Sequence, residues 1–188
     1  MKENKKISTK EIVFCGLFSA LITVGAYLHI PIPLVPMTLQ PMFTLLAGLL
    51  LGSRLGALSV SVYVIAGLIG VPVFTGGGGP SYILRPTFGY LLGFIIGAYI
   101  AGKIAEKKTT PTYKNLLIAS FLNMTAVYSI GIIWLYFITN FYLKTSMSIK
   151  SVLLYGFAIT APSDVIISFV CAGIAHRLIP VMRGFRHD

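Results

Sequence analysis

Apolar residues run along the chain in six stretches, at 12–30, 41–51, 55–69, 86–105, 116–142 and 152–179, and nearly all charged residues fall in the gaps between them. A helix needs roughly 20 apolar residues to cross about 30 Å of hydrocarbon, and several of these stretches meet that length. The second is too short alone, so it is expected to borrow from the proline-rich turn before it or to lie tilted between neighbours. The pattern predicts an all-α, integral membrane bundle of six transmembrane helices, forming a single membrane domain over residues 1–188.

Three irregular segments interrupt this pattern: 31–40, rich in proline; 70–85, with the glycine run Gly76 to Gly79; and Thr160-Ala-Pro-Ser-Asp164. Unpaired backbone groups near hydrocarbon are costly, so long irregular segments in such a chain call for a reason. Proline is favoured in the first helical turn, where its missing N–H is no loss. Pro41, Pro86 and Pro162 are therefore each expected to open a helix.

Composition supports lipid as the solvent. Only 11% of the 188 residues are charged and 56% are apolar or aromatic, with a mean hydropathy of +0.86. Five acidic residues cannot supply the charged exterior that a water-soluble domain needs. The net charge of +10 raises the question of nucleic acid, but no basic stripe is interleaved with a nucleic-acid motif, so no nucleic-acid partner is expected. The basic residues instead report orientation, because short loops rich in Lys and Arg stay in the cytoplasm. With both termini cytoplasmic and six spans, all 15 basic residues except Arg85, Lys144 and Lys150 fall inside. That topology makes 1–10 a cytoplasmic N-terminus and 180–188 a cytoplasmic tail, and places 31–40, 70–85 and 143–163 in outer loops of a multi-pass protein of the cell membrane. The basic start leads into a full-length span without a small-residue cleavage site, so the first helix is expected to be retained. Cys15 and Cys171 both lie in apolar stretches and are read as small hydrophobes, with no disulfide and no metal site.

In this topology helices two, four and six begin outside and aim their positive dipole ends at the outer mouth. Arg85 adds a permanent charge with a planar fork suited to a carboxylate. Asp164 is the only acid inside an expected span, and an ionisable residue at membrane depth usually has a functional partner. The plain alternatives are that Arg85 lies among headgroups or pairs with Asp164, and that Asp164 merely caps the last helix. The glycine run lacks the Lys-Ser/Thr of a P-loop, which argues against a nucleotide cradle.

The same segments carry a resemblance. Val35-Pro-Met-Thr-Leu-Gln40, Gly67-Leu-Ile-Gly-Val-Pro-Val-Phe-Thr-Gly-Gly77, Arg85-Pro-Thr-Phe-Gly-Tyr-Leu-Leu-Gly-Phe94 and Gly156 through Pro162-Ser-Asp164 are similar, in order and spacing, to the motifs of the BioY family. These are the biotin-binding membrane subunits of energy-coupling factor (ECF) transporters. The resemblance covers nearly the whole chain. It implies a six-helix S component that captures biotin near the outer face, without catalysis and without a cofactor, and that works with a transmembrane coupling protein and two ATP-binding subunits. Carried over by position, it implies that Gln40 and Tyr90 line the site, that the loop around Ser81 closes over the ligand, and that Asp164 accepts from the ureido N–H groups of biotin. It also implies that small residues on helix one dock the coupling protein, here Gly16 and Ala20, whose spacing allows close backbone approach in lipid. The alternative for that pair is packing within the chain.

The departures fall in the ligand motifs. Family members commonly carry a Lys three residues after the Asp, where Ile167 stands here, and glycines where Arg85 and Phe88 stand. Arg85 is accordingly expected to replace the missing Lys as partner of the biotin carboxylate, and Phe88 to fill space rather than stack on the ligand. Three rival functions remain to be weighed. An intramembrane enzyme needs paired catalytic groups, and His29, His176 and His187 lie at span ends or in the tail. A self-sufficient secondary transporter is expected to show inverted repeats, and none is apparent. An S component for a different vitamin or small carboxylate is the strongest rival.

Overall fold

The computed structural model describes residues 8–108 and 110–187; the expectations placed on Lys2, Lys5, Lys6 and Asp188 lie outside them. Helix α1, Thr9–Tyr27, begins ahead of the apolar run because Ser8 and Glu11 form a capping box. The Glu11 N–H donates to Ser8 Oγ at 3.3 Å and the Ser8 N–H to Glu11 Oε2 at 3.0 Å, satisfying two donors that the helix start leaves open. The proline-rich segment then folds back on itself as an antiparallel ribbon, β1 (His29–Ile30) with β2 (Met37–Thr38), a small departure from the all-α expectation. Helix α2, Gln40–Leu51, carries Pro41 in its first turn as expected.

A single residue, Gly52 at φ 87°, separates α2 from α3, Ser53–Leu68. Arg54, expected in a connecting loop, therefore sits in the first turn of α3. A 3-10 turn, Pro80–Leu84, leads to α4, Phe88–Glu106. Pro86 does not open that helix: it lies in the turn ahead of it, and Thr87 is the N-cap. Helix α5, Tyr113–Phe137, widens into a π-helical end, Ile138–Tyr142. Beyond a short connection come α6, Ile149–Leu153, a π-helical turn, Leu154–Ala158, and α7, Ala161–His187, with Pro162 in its first turn. Residues 149–151, expected in the outer loop ahead of the sixth apolar stretch, are thus already helical, because Ser148 caps α6 by accepting from Ser151 N–H, and the chain keeps winding through 152–158 as the start of that stretch. The expected tail likewise continues α7 through Pro180 as far as His187.

Among the described residues four helical stretches, Thr9–Tyr27, Phe88–Glu106, Tyr113–Tyr142 and Ile149–Met182, are long and apolar enough to cross a membrane. Helices α2 and α3, with 12 and 16 residues, are shorter apolar columns that reach only ~18 and ~24 Å at 1.5 Å per residue. Helix α4 occupies the middle of the bundle, packed on α2, α3 and α5, while α1 lies against α2 and α3, and α7 against α2 and α5.

Small residues set these approaches. A Cβ at Gly93 of α4 would lie 2.8 Å from Val127 Cα of α5, one at Gly48 of α2 would lie 2.4 Å from the Ala98 carbonyl oxygen of α4, and one at Gly102 would lie 2.3 Å from Ser53 N. Without a hydrophobic force between helices in lipid, such backbone contact is a main source of association. Gly48→Ala is therefore expected to cost about 1–3 kcal/mol through overpacking and to lower the Tm in detergent, whereas Gly16→Ala, with nothing within 4 Å of the added Cβ, should leave it unchanged. Thermal melting of the two variants decides this.

Candidate functional site

The N-terminal ends of α2, α4 and α7 converge on one small pocket. Its walls come from the ribbon (Met37, Thr38), the start of α2 (Gln40, Pro41), the first turns of α4 (Tyr90, Leu91, Phe94), the middle of α5 (Val127, Tyr128) and the start of α7 (Thr160, Asp164), with Thr75 and Tyr82 contributed by the segment 70–85. Asp164 is the only ionisable acid or base with a charged form at neutral pH among these lining residues. Three helix starts around one small space supply partial positive charge without any basic side chain.

Asp164 is held by a short polar chain. Tyr128 donates its hydroxyl to Asp164 Oδ2 at 2.7 Å, and Thr160 Oγ1 lies 2.9 Å from the same tyrosine oxygen. A phenol has one proton, so with that proton committed to the carboxylate Thr160 is the donor to Tyr128. The Asp164 N–H bonds the Thr160 carbonyl at 3.3 Å, fixing the first turn of α7. One carboxylate oxygen is thus anchored to α5, and the carboxylate remains on the cavity wall. Tyr90, edge-on to Tyr128 with centroids 6.1 Å apart, donates to the Gly156 carbonyl at 2.8 Å and so ties α4 to the π-helical turn ahead of α7.

Gln40 is buried, and it knits the roof together. Its Nε2 donates to Tyr63 Oη at 2.7 Å, and Tyr63 donates to the Val73 carbonyl at 3.2 Å. Phe74 next door is almost wholly buried; it packs edge-on against Tyr63 and lies 4.3 Å from the Tyr82 ring. A Cβ at Gly67 would come within 2.0 Å of the Phe74 ring, so glycine there seats the plug. Tyr27 also donates to the Pro72 carbonyl.

Beside Tyr82 lies a second, more open space, a vestibule that shares Pro36, Thr75, Tyr82 and Thr87 with the cavity and adds His29, Gly76 and Arg85. The Arg85 guanidinium carbon sits 5.2 Å over the Tyr82 ring, within cation–π range. Its Nη1 is so close to Gly76 that a Cβ there would be 2.3 Å away, and Trp134 Nε1 donates to the Arg85 carbonyl at 3.2 Å. Arg85 and Asp164 line different spaces, with Tyr82 on the boundary.

The expected residues therefore divide. Gln40, Tyr90 and Asp164 meet on one cavity, and Arg85 stands at its entrance. Ser81 is exposed and lines neither space; its neighbour Tyr82 is the residue of that loop that faces the cavity. Phe88 is buried against Trp134, centroids 5.5 Å apart, and lines neither space, in keeping with the space-filling expectation. Gly16 and Ala20 are exposed on α1, and the Gly16 position opens onto empty space. Tyr128, Thr160 and Tyr82 were not among the residues expected to line the site. A tyrosine in the middle of the apolar stretch 116–142 is a signal of its own, since polar groups at that depth tend to serve a site.

A model of the BioY family matches residues 1–184. The probable biotin transporter BioY of Lysinibacillus sphaericus is 41% identical over 182 residues, spanning 97% of this chain and 93% of that protein. The biotin transporter BioY of Thermotoga maritima is 38% identical over 170 residues, spanning 90% and 95%. Among solved structures, the S-component for biotin from an ECF-type ABC transporter superposes with a TM-score of 0.78 at 30% identity, covering 95% of this chain and 94% of that one.

The Tyr128 hydroxyl serves two partners at once, whereas Tyr90 serves one carbonyl. Tyr128→Phe strands part of the Asp164 carboxylate and should cost about 2 kcal/mol, against about 1 kcal/mol for Tyr90→Phe. Melting of the two purified variants without ligand should show the larger drop for Tyr128→Phe.

Proposed function

The chain belongs to the BioY family, and from that premise we propose that it captures biotin at the outer face of a cell membrane and imports it as the substrate-binding subunit of an ECF-type transporter. The observation that carries this reading is the pairing of two adjoining spaces: a cavity whose charged wall is Asp164, and a vestibule whose cation is Arg85. Biotin has the matching chemistry, with a cyclic urea that presents N–H donors at one end and a carboxylate on a flexible chain at the other. A carboxylate only accepts, so Asp164 suits the urea end. A guanidinium only donates, so Arg85 suits the acid end.

In this assignment Gln40 and Tyr90 shape the wall, Tyr82 stands between the two ends of the ligand, and Ser81 belongs to the turn that carries Tyr82. The first turn of α7 would then carry no carboxylate partner, since Ile167, one turn beyond Asp164, is apolar. Arg85 substitutes for such a partner from the opposite wall. The two termini lie in the cytoplasm, the cavity opens outward, and α2 and α3 complete six spans by lying between longer neighbours.

The site has groups that bind and none arranged for catalysis, so energy comes from partners. A transmembrane coupling protein and two ATP-binding subunits supply it, docking against Gly16 and Ala20 on α1, whose faces are exposed in this chain.

Titration of the purified protein with biotin tests the central reading, and an absence of binding at micromolar concentration would defeat it in favour of another vitamin or small carboxylate. Arg85→Ala should weaken biotin by about tenfold or more, the scale of a lost charged hydrogen bond, while leaving the neutral biotin amide nearly unaffected; equal losses for both ligands would remove Arg85 from the carboxylate. Ala20→Phe should keep biotin affinity and abolish both uptake and co-purification with the coupling protein. Undiminished uptake would move the docking surface elsewhere.

A further inference from the structure

Four residues line both the cavity and the vestibule and so form the neck between them: Pro36, Thr75, Tyr82 and Thr87. Three of the four carry hydroxyls, and none of these hydroxyls is hydrogen-bonded among the described residues. The other tyrosines of the site are all committed, Tyr63 to the Val73 carbonyl, Tyr90 to the Gly156 carbonyl and Tyr128 to Asp164. Tyr82 is only 6% exposed, and a polar group at that burial ordinarily has a partner. Its hydroxyl is not sealed in, because the one fully buried side-chain atom without a partner among the described residues is Asn123 Oδ1. Thr87 is the N-cap of α4, where a threonine usually gives its oxygen to the helix, yet its side chain makes no capping bond.

A hydroxyl accepts as well as donates, so its surroundings decide which it does for a ligand. Around the neck they favour an anion. Arg85 lines the vestibule and lies over the Tyr82 ring, and a guanidinium only donates. The start of α4 at Thr87 adds the partial positive charge of a helix N-terminus. No carboxylate lines the vestibule. The other end of the cavity is the reverse: it runs into a small, deep chamber lined by Asp164 and Ile167, with no basic residue on its wall. A ligand acid therefore finds its donors at the neck and none of its charge partners beyond Asp164.

We infer that the neck is a carboxylate subsite, in which the hydroxyls of Thr75, Tyr82 and Thr87 form a collar of donors that takes the acid end of the ligand together with Arg85. The inference rests on the biotin reading above and deepens it, because it assigns recognition of the acid to three uncharged groups of the wall as well as to the one cation. A carboxylate has about four lone-pair sites, enough for a guanidinium and several hydroxyls at once. The collar also accounts for three polar side chains left unpaired at the point where the two spaces meet.

Tyr82→Phe and the double variant Thr75→Val with Thr87→Val remove these hydroxyls while nearly preserving shape, and a phenyl ring can keep the place of Tyr82 against Phe74 and beneath Arg85. No partner within the chain is lost, so each ligand-free variant should melt at the wild-type Tm. Affinity for biotin should fall about tenfold in each, the scale of a lost hydrogen bond to a charged group. Affinity for an analogue whose side chain ends in a methyl group in place of the carboxyl should not change. Three results would each overturn the assignment. Unchanged biotin affinity in both variants would mean that the hydroxyls do not meet the ligand, equal losses for the two ligands that they meet something other than its acid, and a lower ligand-free Tm that they already serve the fold. A wild-type protein that fails to bind biotin at all would instead overturn the reading on which the assignment rests, and the assignment with it.

Discussion

Close backbone contact between helices is the constraint on which the rest of this structure depends. In hydrocarbon, lipid tails solvate a leucine as well as another helix does, so association must come from packing and polar contacts. Helix α4 meets this demand with Gly89, Gly93 and Gly97, one per turn, seated against Trp134, Val127 and Asn123 of α5. Gly48 of α2 lies against Ala98, and Gly102 against the Gly52–Ser53 turn. These contacts hold α2, α4 and α5 at backbone distance and leave the starts of α2, α4 and α7 gathered around one space.

That space is built to hold a charge without a salt bridge to balance it. Asp164 has no basic residue on its cavity. It has Tyr128 and Thr160 as a donor chain, and three helix starts whose dipoles favour negative charge. The balancing cation stands outside, on the vestibule side of Tyr82. A direct ion pair would fill the site with its own side chains, whereas the separation leaves room between the charges for a molecule with a donor end and an acid end. The segment 70–85 maintains the separation, because Phe74 is plugged against Gly67 and Tyr63 and thereby fixes where Tyr82 stands.

Similarity to the biotin transporters named above extends over almost the whole chain at 41% and 38% identity, and the three positions at which the sequence reading expected departures, Arg85, Phe88 and Ile167, fall in different parts of the fold. Phe88 lies behind the wall, and Ile167 belongs to the deep chamber. Arg85 lies in the vestibule, on the far side of Tyr82 from Asp164.

Much of this was legible along the chain. Stretches of apolar length and prolines at two of the expected helix starts are local properties, and these survive folding: the helical columns stand where the apolar runs lie, and Pro41 and Pro162 occupy first turns. The family motifs also pointed to Gln40, Tyr90 and Asp164 before their positions were known. Local signals failed where competition between neighbours decided the outcome. Pro86 yielded the helix start to Thr87 and Phe88, and the last helical region began at Ile149, ahead of the apolar stretch, once Ser148 capped it. Tertiary structure alone decided which polar groups meet. Tyr128 reaches Asp164 across 36 positions, and Gln40 reaches Tyr63 across 23. Tyr82 rather than Ser81 faces inward, and the Asn123 amide is left unpaired over Gly97. Hydropathy and charge act on each segment separately, so sequence determined that this chain enters a membrane and roughly where it turns; a hydrogen bond between helices depends on their rotation and depth relative to one another, which only the packed glycines and aromatic plugs set.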